Sequence, residues 1–160
     1  MNKEKVINVF KGKYAFLSNF YDCKIDYNGV SYKHSEGAFQ AQKTLNEALR
    51  LDIAKLTASD SKKACGRYGL TTKEGRRIKV NLRTDWEEVK DQIMYEVVLE
   101  KFKQNEDIKE KLLATGDAEL VEGTTWHDNY WGNCTCERCT NITGRNQLGK
   151  TLMRVREELK

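Results

Sequence analysis

With 160 residues, 39% of them hydrophobic and 32% charged, the chain has a globular composition with room for a real core, and no run approaches a membrane span. A formal net charge of +4 and a pI near 8.7 suit an anionic ligand such as a phosphate or nucleotide, and fall short of the dense basic stripe of a dedicated nucleic-acid binder. No apolar segment follows Met1–Lys5, and the five cysteines are an odd number, so the expectation is a cytoplasmic protein with reduced thiols rather than a secreted disulfide framework.

Residues 6–33 read as strand-rich. Val6 to Phe10 is a short β segment, Gly12 offers a turn, and Cys23 to Tyr27 alternates before Asn28-Gly29, a strong hairpin signal. A helix is expected from Glu36 to about Arg50 with Ser35 as its N-cap, because a serine hydroxyl accepts from an N–H that has no helical partner. Ala38, Ala41, Leu45, Ala48 and Leu49 would be its buried stripe. Asp52 to Leu56 continues as a second short helix, and Ser59 to Tyr68 as a capped one ending near Gly66 or Gly69. Trp86, Val89, Ile93, Met94, Val97 and Phe102 keep helical period over 85–103, with Asp85 as N-cap. A short helix around Ile108 and Leu112 closes at Gly116, and Glu119 to Glu122 fits a short strand. Residues 123–147 read as a long loop, and Leu148, Leu152, Val155 and Leu159 stripe a last helix. With proline absent and no Gly/Ser-rich boundary, the expectation is a single domain over 1–160 of α+β class, helix-rich with a few short strands.

Four segments concentrate residues that a plain core does not need. In Phe16-Leu17-Ser18-Asn19-Phe20-Tyr21, Ser18 and Asn19 interrupt an aromatic cluster. They read either as a turn or as hydrogen-bonding groups beside a stacking ring such as Phe20. On the Glu36 helix, Glu36, Gln40, Lys43 and Glu47 share one azimuth, with Glu36 and Lys43 roughly 10 Å apart along the axis. That face is either solvated or in contact with different parts of one ligand. In Lys62 to Arg67 the cations fit phosphate, Arg67 as a bidentate fork, or simply close a helix at its negative pole. In Asp128 to Gly132 and Gly144 to Gly149, Asp128 is a candidate acid, base or ribose ligand, and Trp131 a stacking ring worth roughly 1–3 kcal/mol. The structural alternative makes Trp131 core, Asp128 a loop cap, and Gly144, Asn146 and Gly149 turn residues.

The loop at about 133–143 carries Cys134-x-Cys136-x-x-Cys139. Three thiols without a second pair differ from the usual structural zinc pattern, so the primary expectation is no metal. His127 offers a fourth ligand, and zinc at Cys134, Cys136, Cys139 and His127 is the alternative. No nucleophile elbow, P-loop or dinucleotide fingerprint is present, and no cofactor is expected.

Together these pieces resemble the NADAR family (YbiA-like). The resemblance runs from about Phe16 to Arg156 through FLSNFY (16–21), SEGAFQAQK (35–43), KACGR (63–67), W-x-x-V-K (86–90) with Met94, KF-x-Q-N (101–105), LLATGDAELVEGT (112–124), D-x-x-WG (128–132) and GRNQLGKTLMRVR (144–156). It implies a compact, helix-rich α+β domain and an N-glycosidase. The substrate would be a small molecule in which a phosphorylated ribose or ADP-ribose is joined at C1′ to a nitrogenous base. Early riboflavin-pathway ribosylaminopyrimidine phosphates and ADP-ribosylated guanine, the latter also within nucleic acid, are the substrates implied.

Residue by residue, the resemblance makes Glu36 and Lys43 the motif glutamate and lysine, and Asp128 and Trp131 the D-x-x-W-G pair. It places Asn19, Lys63, Arg67, Trp86, Gly132 and Asn146 at pocket-forming positions. The resulting expectation is Glu36, Lys43 and Asp128 as catalytic groups. Ser18, Asn19, Phe20, Gln40, Lys63, Arg67, Trp86, Trp131, Gly132 and Asn146 would bind substrate. Lys43 would act as a Schiff-base nucleophile, with a lowered pKa, or as a sugar-orienting cation. Two departures stand out: Gly37 replaces the histidine that commonly follows the glutamate, and the cysteine loop replaces a short glycine-rich one. The first competing reading is therefore a non-catalytic module binding ADP-ribose or a nucleotide. The second is a zinc-containing nucleic-acid binder built on the cysteine loop.

Overall fold

The computed structural model describes residues 5–160 as two compact units, one of residues 19–105 and one of residues 5–18 with 106–160. In the first unit, β2 (Asp22–Tyr27) and β3 (Val30–His34) form an antiparallel hairpin with Tyr27 opposite Val30. Its turn is the expected Asn28-Gly29, with φ of 49° and 80°, the paired positive values that match strand twist. Ile25 and Tyr32 enter the core from this hairpin.

The helix expected over 36–50 is two helices. Helix α1 (Ser35–Ala41) stops after seven residues and α2 (Glu47–Ala54) begins afresh. The break has a side-chain cause. Thr44 Oγ1 accepts from the Asn46 amide at 3.0 Å, and Asn46 Oδ1 accepts from Leu49 N at 3.1 Å, capping α2. Leu45 is consequently 67% exposed rather than part of a buried stripe, and Ala48 is exposed too. Helix α3 (Ala58–Ala64) is capped by Thr57, and a small hairpin joins β4 (Leu70–Thr71) to β5 (Arg77–Ile78).

Helix α4 (Trp86–Gln104) follows the expected period, burying Trp86, Ile93, Met94, Val97, Val98 and Phe102. Asp85 precedes it but makes no side-chain cap, because its carboxylate takes the Arg83 guanidinium in a two-point pair at 2.6 and 3.0 Å. Helix α1 packs against α2, α3, α4 and β3, so every residue of α1 is buried.

In the second unit, β1 (Val6–Ile7) pairs in parallel with β6 (Glu119–Leu120), and β7 (Gly123–Thr124) in parallel with β8 (Asn133–Cys134). Between β1 and the hairpin, Gly12–Leu17 is a 3-10 helix instead of the strand-rich continuation the sequence suggests. Helix α5 (Glu106–Ala114) is followed by Gly116 at φ 65°, and α6 (Gln147–Glu158) buries Leu148, Leu152 and Val155 as expected. The stretch 123–147 carries β7, β8 and a 3-10 turn at Glu137–Cys139, so it is more ordered than a plain loop. Among the described residues, no helix is long and apolar enough to cross a membrane.

Candidate active site

The first unit assembles one buried polar group around α1. Asn19 O accepts from the Glu36 amide at 2.9 Å, while Asn19 Oδ1 accepts from Ser35 Oγ at 2.9 Å. Asn19 Nδ2 reaches Met94 Sδ at 3.7 Å. The start of α1 is therefore fixed by a residue sixteen positions upstream. Ser35 spends its hydroxyl on Asn19, and the N-cap is His34, whose Nδ1 accepts from Gly37 N at 2.9 Å. His34 Nε2 lies 3.0 Å from Leu56 O, which makes it the donor and the ring neutral. Burial pushes the His34 pKa below its ordinary value of 6.5, in keeping with that tautomer.

One turn further, Gln40 Nε2 donates to Glu36 Oε1 at 2.8 Å. Both side chains are buried, Glu36 at 8% and Gln40 at 6% exposure. Gln40 Oε1 has no hydrogen-bond partner among the described residues. This face of α1 is thus neither solvated nor apolar. A buried carboxylate with a neighbouring amide gives this face the polar character that a ligand needs.

Lys43 lies just beyond α1, its amide donating to Gln40 O at 3.1 Å and its carbonyl accepting from Arg83 N at 2.9 Å. Its ammonium stands 5.8 Å from the Trp86 ring centre, and Trp86 in turn packs on Phe39 at 5.1 Å. Burial lowers the Lys43 pKa from 10.5. Cys65 and Glu36 oppose that shift, and Lys62 and Lys90 add to it. The direction is the one an amine nucleophile needs. Cys65, from the end of α3, is pushed up to about 12 by burial, with Lys43 pulling it down and Glu36 adding to the rise. It stays a thiol at neutral pH and supplies no nucleophile.

The charged groups that act on Lys43 include Lys62, from the cationic Lys62–Arg67 segment, and Lys90, which the sequence placed in the W-x-x-V-K match without a site role. Lys62 sits beside Lys63 on α3, but Lys90 comes from α4, 47 positions after Lys43, and no local spacing announces it. Lys63 and Arg67 are exposed, Arg67 lying 5.5 Å from the Tyr68 ring centre. Phe20 is 47% exposed. Gly37 faces the His34 ring, where an added Cβ would come within 2.8 Å of Cε1.

The second unit holds the other motif residues. Ser18 ends the first 3-10 helix with its amide on Ala15 O. Asp128 Oδ1 accepts from Tyr130 N at 3.1 Å and Trp131 N at 2.9 Å, folding a tight turn and leaving Oδ2 outside it. Trp131 is half-buried and meets Tyr130 edge-on at 4.9 Å. Gly132 cannot take a side chain, since a Cβ would lie 2.3 Å from Glu122 O. Asn146 adopts φ 51° and uses its whole carboxamide internally. Oδ1 accepts from Glu122 N and Nδ2 donates to Leu120 O, both at 2.9 Å. The amides of residues 145–148 donate to the carbonyls of Asn129, Gly132, Tyr130 and Trp131. The D-x-x-W-G turn and the start of α6 are therefore one hydrogen-bonded piece. In the same unit, His127 and the three loop cysteines lie close together.

The comparisons with known proteins agree with one another. The NADAR domain matches residues 7–160. N-glycosidase YbiA of Shigella boydii serotype 4 is 35% identical over 159 residues, covering 98% of this chain and 90% of its own. N-glycosidase Npun_R5314 of Nostoc punctiforme is 37% identical over 147 residues, 92% of this chain and 86% of its own. Riboflavin biosynthesis protein VVA0006 of Vibrio vulnificus is 38% identical over 91% of this chain but only 36% of that longer protein. The NMR structure of the E. coli protein YbiA superposes with a TM-score of 0.76 at 33% identity, covering 99% of this chain and 87% of that one.

Proposed function

The chain belongs to the NADAR domain family and is a hydrolase of N-glycosyl bonds, and on that premise we propose that its substrate is a phosphorylated ribose linked at C1′ to a planar nitrogenous base. The observation that supports this reading is the buried Glu36–Gln40 pair with Lys43 as an electrostatic neighbour of lowered basicity. A carboxylate at the sugar offsets the positive charge that grows on C1′ and the ring oxygen as the base departs. Water then adds its oxygen to C1′, its proton goes to a carboxylate, and the base leaves with a proton on nitrogen.

Lys43 opens a covalent route. Its neutral amine adds to C1′ of the ring-opened sugar, the base nitrogen departs protonated, and water hydrolyses the resulting Schiff base to release the amine. Trp86 holds the ammonium end of Lys43 in place. Lys62 and Lys90 add positive charge beside it for a phosphate, with Lys63 and Arg67 as further cations. Asp128 as a second proton carrier and Trp131 as a stacking ring rest on the family motif.

Two substrates have this construction. Ribosylaminopyrimidine phosphates of the riboflavin pathway are favoured by the Vibrio vulnificus relative's name, and ADP-ribosylated guanine, free or in nucleic acid, is the other. The test is a hydrolysis screen over both and over NAD-type nucleotides, following released base, with borohydride added in parallel. Base release with a reduced adduct on the Lys43 peptide is expected. Full activity with no adduct, retained in Lys43→Arg, removes the covalent route. No release from any substrate, with ADP-ribose bound in calorimetry, replaces the enzyme by a binding module, the reading that Gly37 in place of the family's histidine favours.

A further inference from the structure

Outside the Glu36 cluster, the second unit brings four potential metal ligands to one point. His127 Nδ1 and the Sγ atoms of Cys134, Cys136 and Cys139 all lie within 4.8 Å of one another. Nδ1 is 3.2 Å from Cys136 Sγ and 3.5 Å from Cys139 Sγ. A tetrahedral zinc with bonds of about 2.3 Å to sulfur and about 2.0 Å to nitrogen has edges of roughly 3.5–3.8 Å between its ligand atoms. The two distances from Nδ1 are near that edge length and the others do not exceed 4.8 Å, so small side-chain shifts bring the four atoms to such a tetrahedron, and no cysteine of the group is in a disulfide.

Three further observations point the same way. His127 holds φ 67°, an unusual backbone for a residue with a side chain, in the turn that carries its ring to the thiols. Two sulfurs already receive N–H donors: His127 N to Cys134 Sγ at 3.3 Å, and Asn129 Nδ2 to Cys139 Sγ at 3.2 Å. Such donors stabilise thiolates and orient them, as outer partners do around bound metals. Cys134 and Cys139 are buried while His127 is exposed, so the group has a closed floor and an open side for metal entry.

We infer that His127, Cys134, Cys136 and Cys139 form a tetrahedral zinc site that clips the D-x-x-W-G turn to the cysteine loop. Three soft thiolates and one imidazole select zinc over magnesium or calcium, and four protein ligands leave no open position for substrate, so the role is structural. Each thiol that binds releases a proton. The clip works through Asn129, whose Nδ2 reaches Cys139 Sγ while its Oδ1 accepts from Cys134 N at 2.9 Å. Asp128 lies between ligand His127 and this bridge, so the metal holds the turn that presents its carboxylate.

The experiment is metal analysis of the whole protein purified under reducing conditions from zinc-supplemented cells, with cobalt titration of chelator-stripped wild type. The expected result is about one zinc per chain and a thiolate-to-cobalt charge-transfer band that saturates near one equivalent. Cys136→Ser should lose the metal, while Cys23→Ser, outside the group, should keep it. Asn129→Ala should bind about 10–100-fold more weakly in chelator competition. Zinc far below stoichiometric, together with no charge-transfer band in the reduced wild type, overturns the site. The cobalt titration needs no variant to fold.

Discussion

The imidazole of His34 stands where a side chain on Gly37 would have to go: a Cβ at 37 would lie 2.8 Å from His34 Cε1 and 3.1 Å from Nδ1. The same ring caps α1 through Gly37 N. A histidine at 37 and a histidine cap at 34 therefore exclude each other. Gly37→His should displace the ring and cost about 0.5–2 kcal/mol, the usual worth of an N-cap. His34→Ser with Gly37→His should recover most of it, because a serine cap is short. Urea unfolding of the two single variants and the double variant checks this. Additive losses would show that the two positions do not compete.

Acid should weaken the protein through the same ring. His34 has a folded pKa below 6.5, so between that value and 6.5 the unfolded chain binds more protons and stability falls as pH drops. Above 6.5 the ring contributes no slope. Stability measured from pH 7.5 down to 5 should decline less in His34→Ser than in wild type. Identical profiles would remove His34 as the cause.

Glu36→Gln keeps a side chain of the same shape beside Gln40 and removes the charge. Turnover should fall about 10²–10⁴-fold, the range for a lost acid–base group, with stability little changed. The negative charge of Glu36 also raises the Lys43 pKa, so its removal should lower that pKa further. Any pH limb of residual activity that reports the neutral Lys43 amine should move to lower pH. A shift to higher pH contradicts the assignment.

Asn19→Ala removes the acceptor of Ser35 Oγ at the start of α1. The hydroxyl keeps only its longer bond to Asn19 O at 3.3 Å, so the lost side-chain bond costs about 0.5–1.5 kcal/mol. Turnover should drop along with stability, because the Glu36 backbone is anchored beside it on Asn19 O. Thermal unfolding and kcat measured on one preparation test the coupling.

Gly149→Ala should be among the most harmful small changes in α6. Its Cβ would lie 2.0 Å from Leu120 O and 2.4 Å from the Asn146 carboxamide. Overpacking of this kind costs about 1–3 kcal/mol or more. A melting temperature equal to wild type would mean that β6 and Asn146 yield freely.

Local chemistry was legible wherever it was local. Asn28-Gly29 announced the hairpin, and the periods of Met94–Val97 and Leu148–Leu152–Val155 announced α4 and α6. The start of α1 was not, because Asn19 captures Ser35 across the fold and passes the cap to His34. The parallel pairs β1–β6 and β7–β8 are two residues long, too short for any period to show. Within the candidate site, Glu36, Gln40 and Lys43 stood out in one motif. The neighbours that set the basicity of Lys43, namely Cys65, Lys62 and Lys90, arrive through the packing of α1 with α3 and α4. Spacing in the chain cannot encode that packing.

A helix start is where an anion would look for free amides, yet those of residues 145–148 at the start of α6 already donate to the carbonyls of residues 129–132. Peptide nitrogens there have nothing left to offer a phosphate. That leaves phosphate contact to side-chain cations such as those proposed around Lys43, Lys62 and Lys90, and Arg145 at this turn lies over the Tyr130 ring at 4.9 Å instead. Recognition by mobile cations is weakened by salt and tolerant of phosphate geometry, whereas a backbone cradle fixes one shape. Under the proposed function, a monophosphate and a diphosphate would then be held on similar terms.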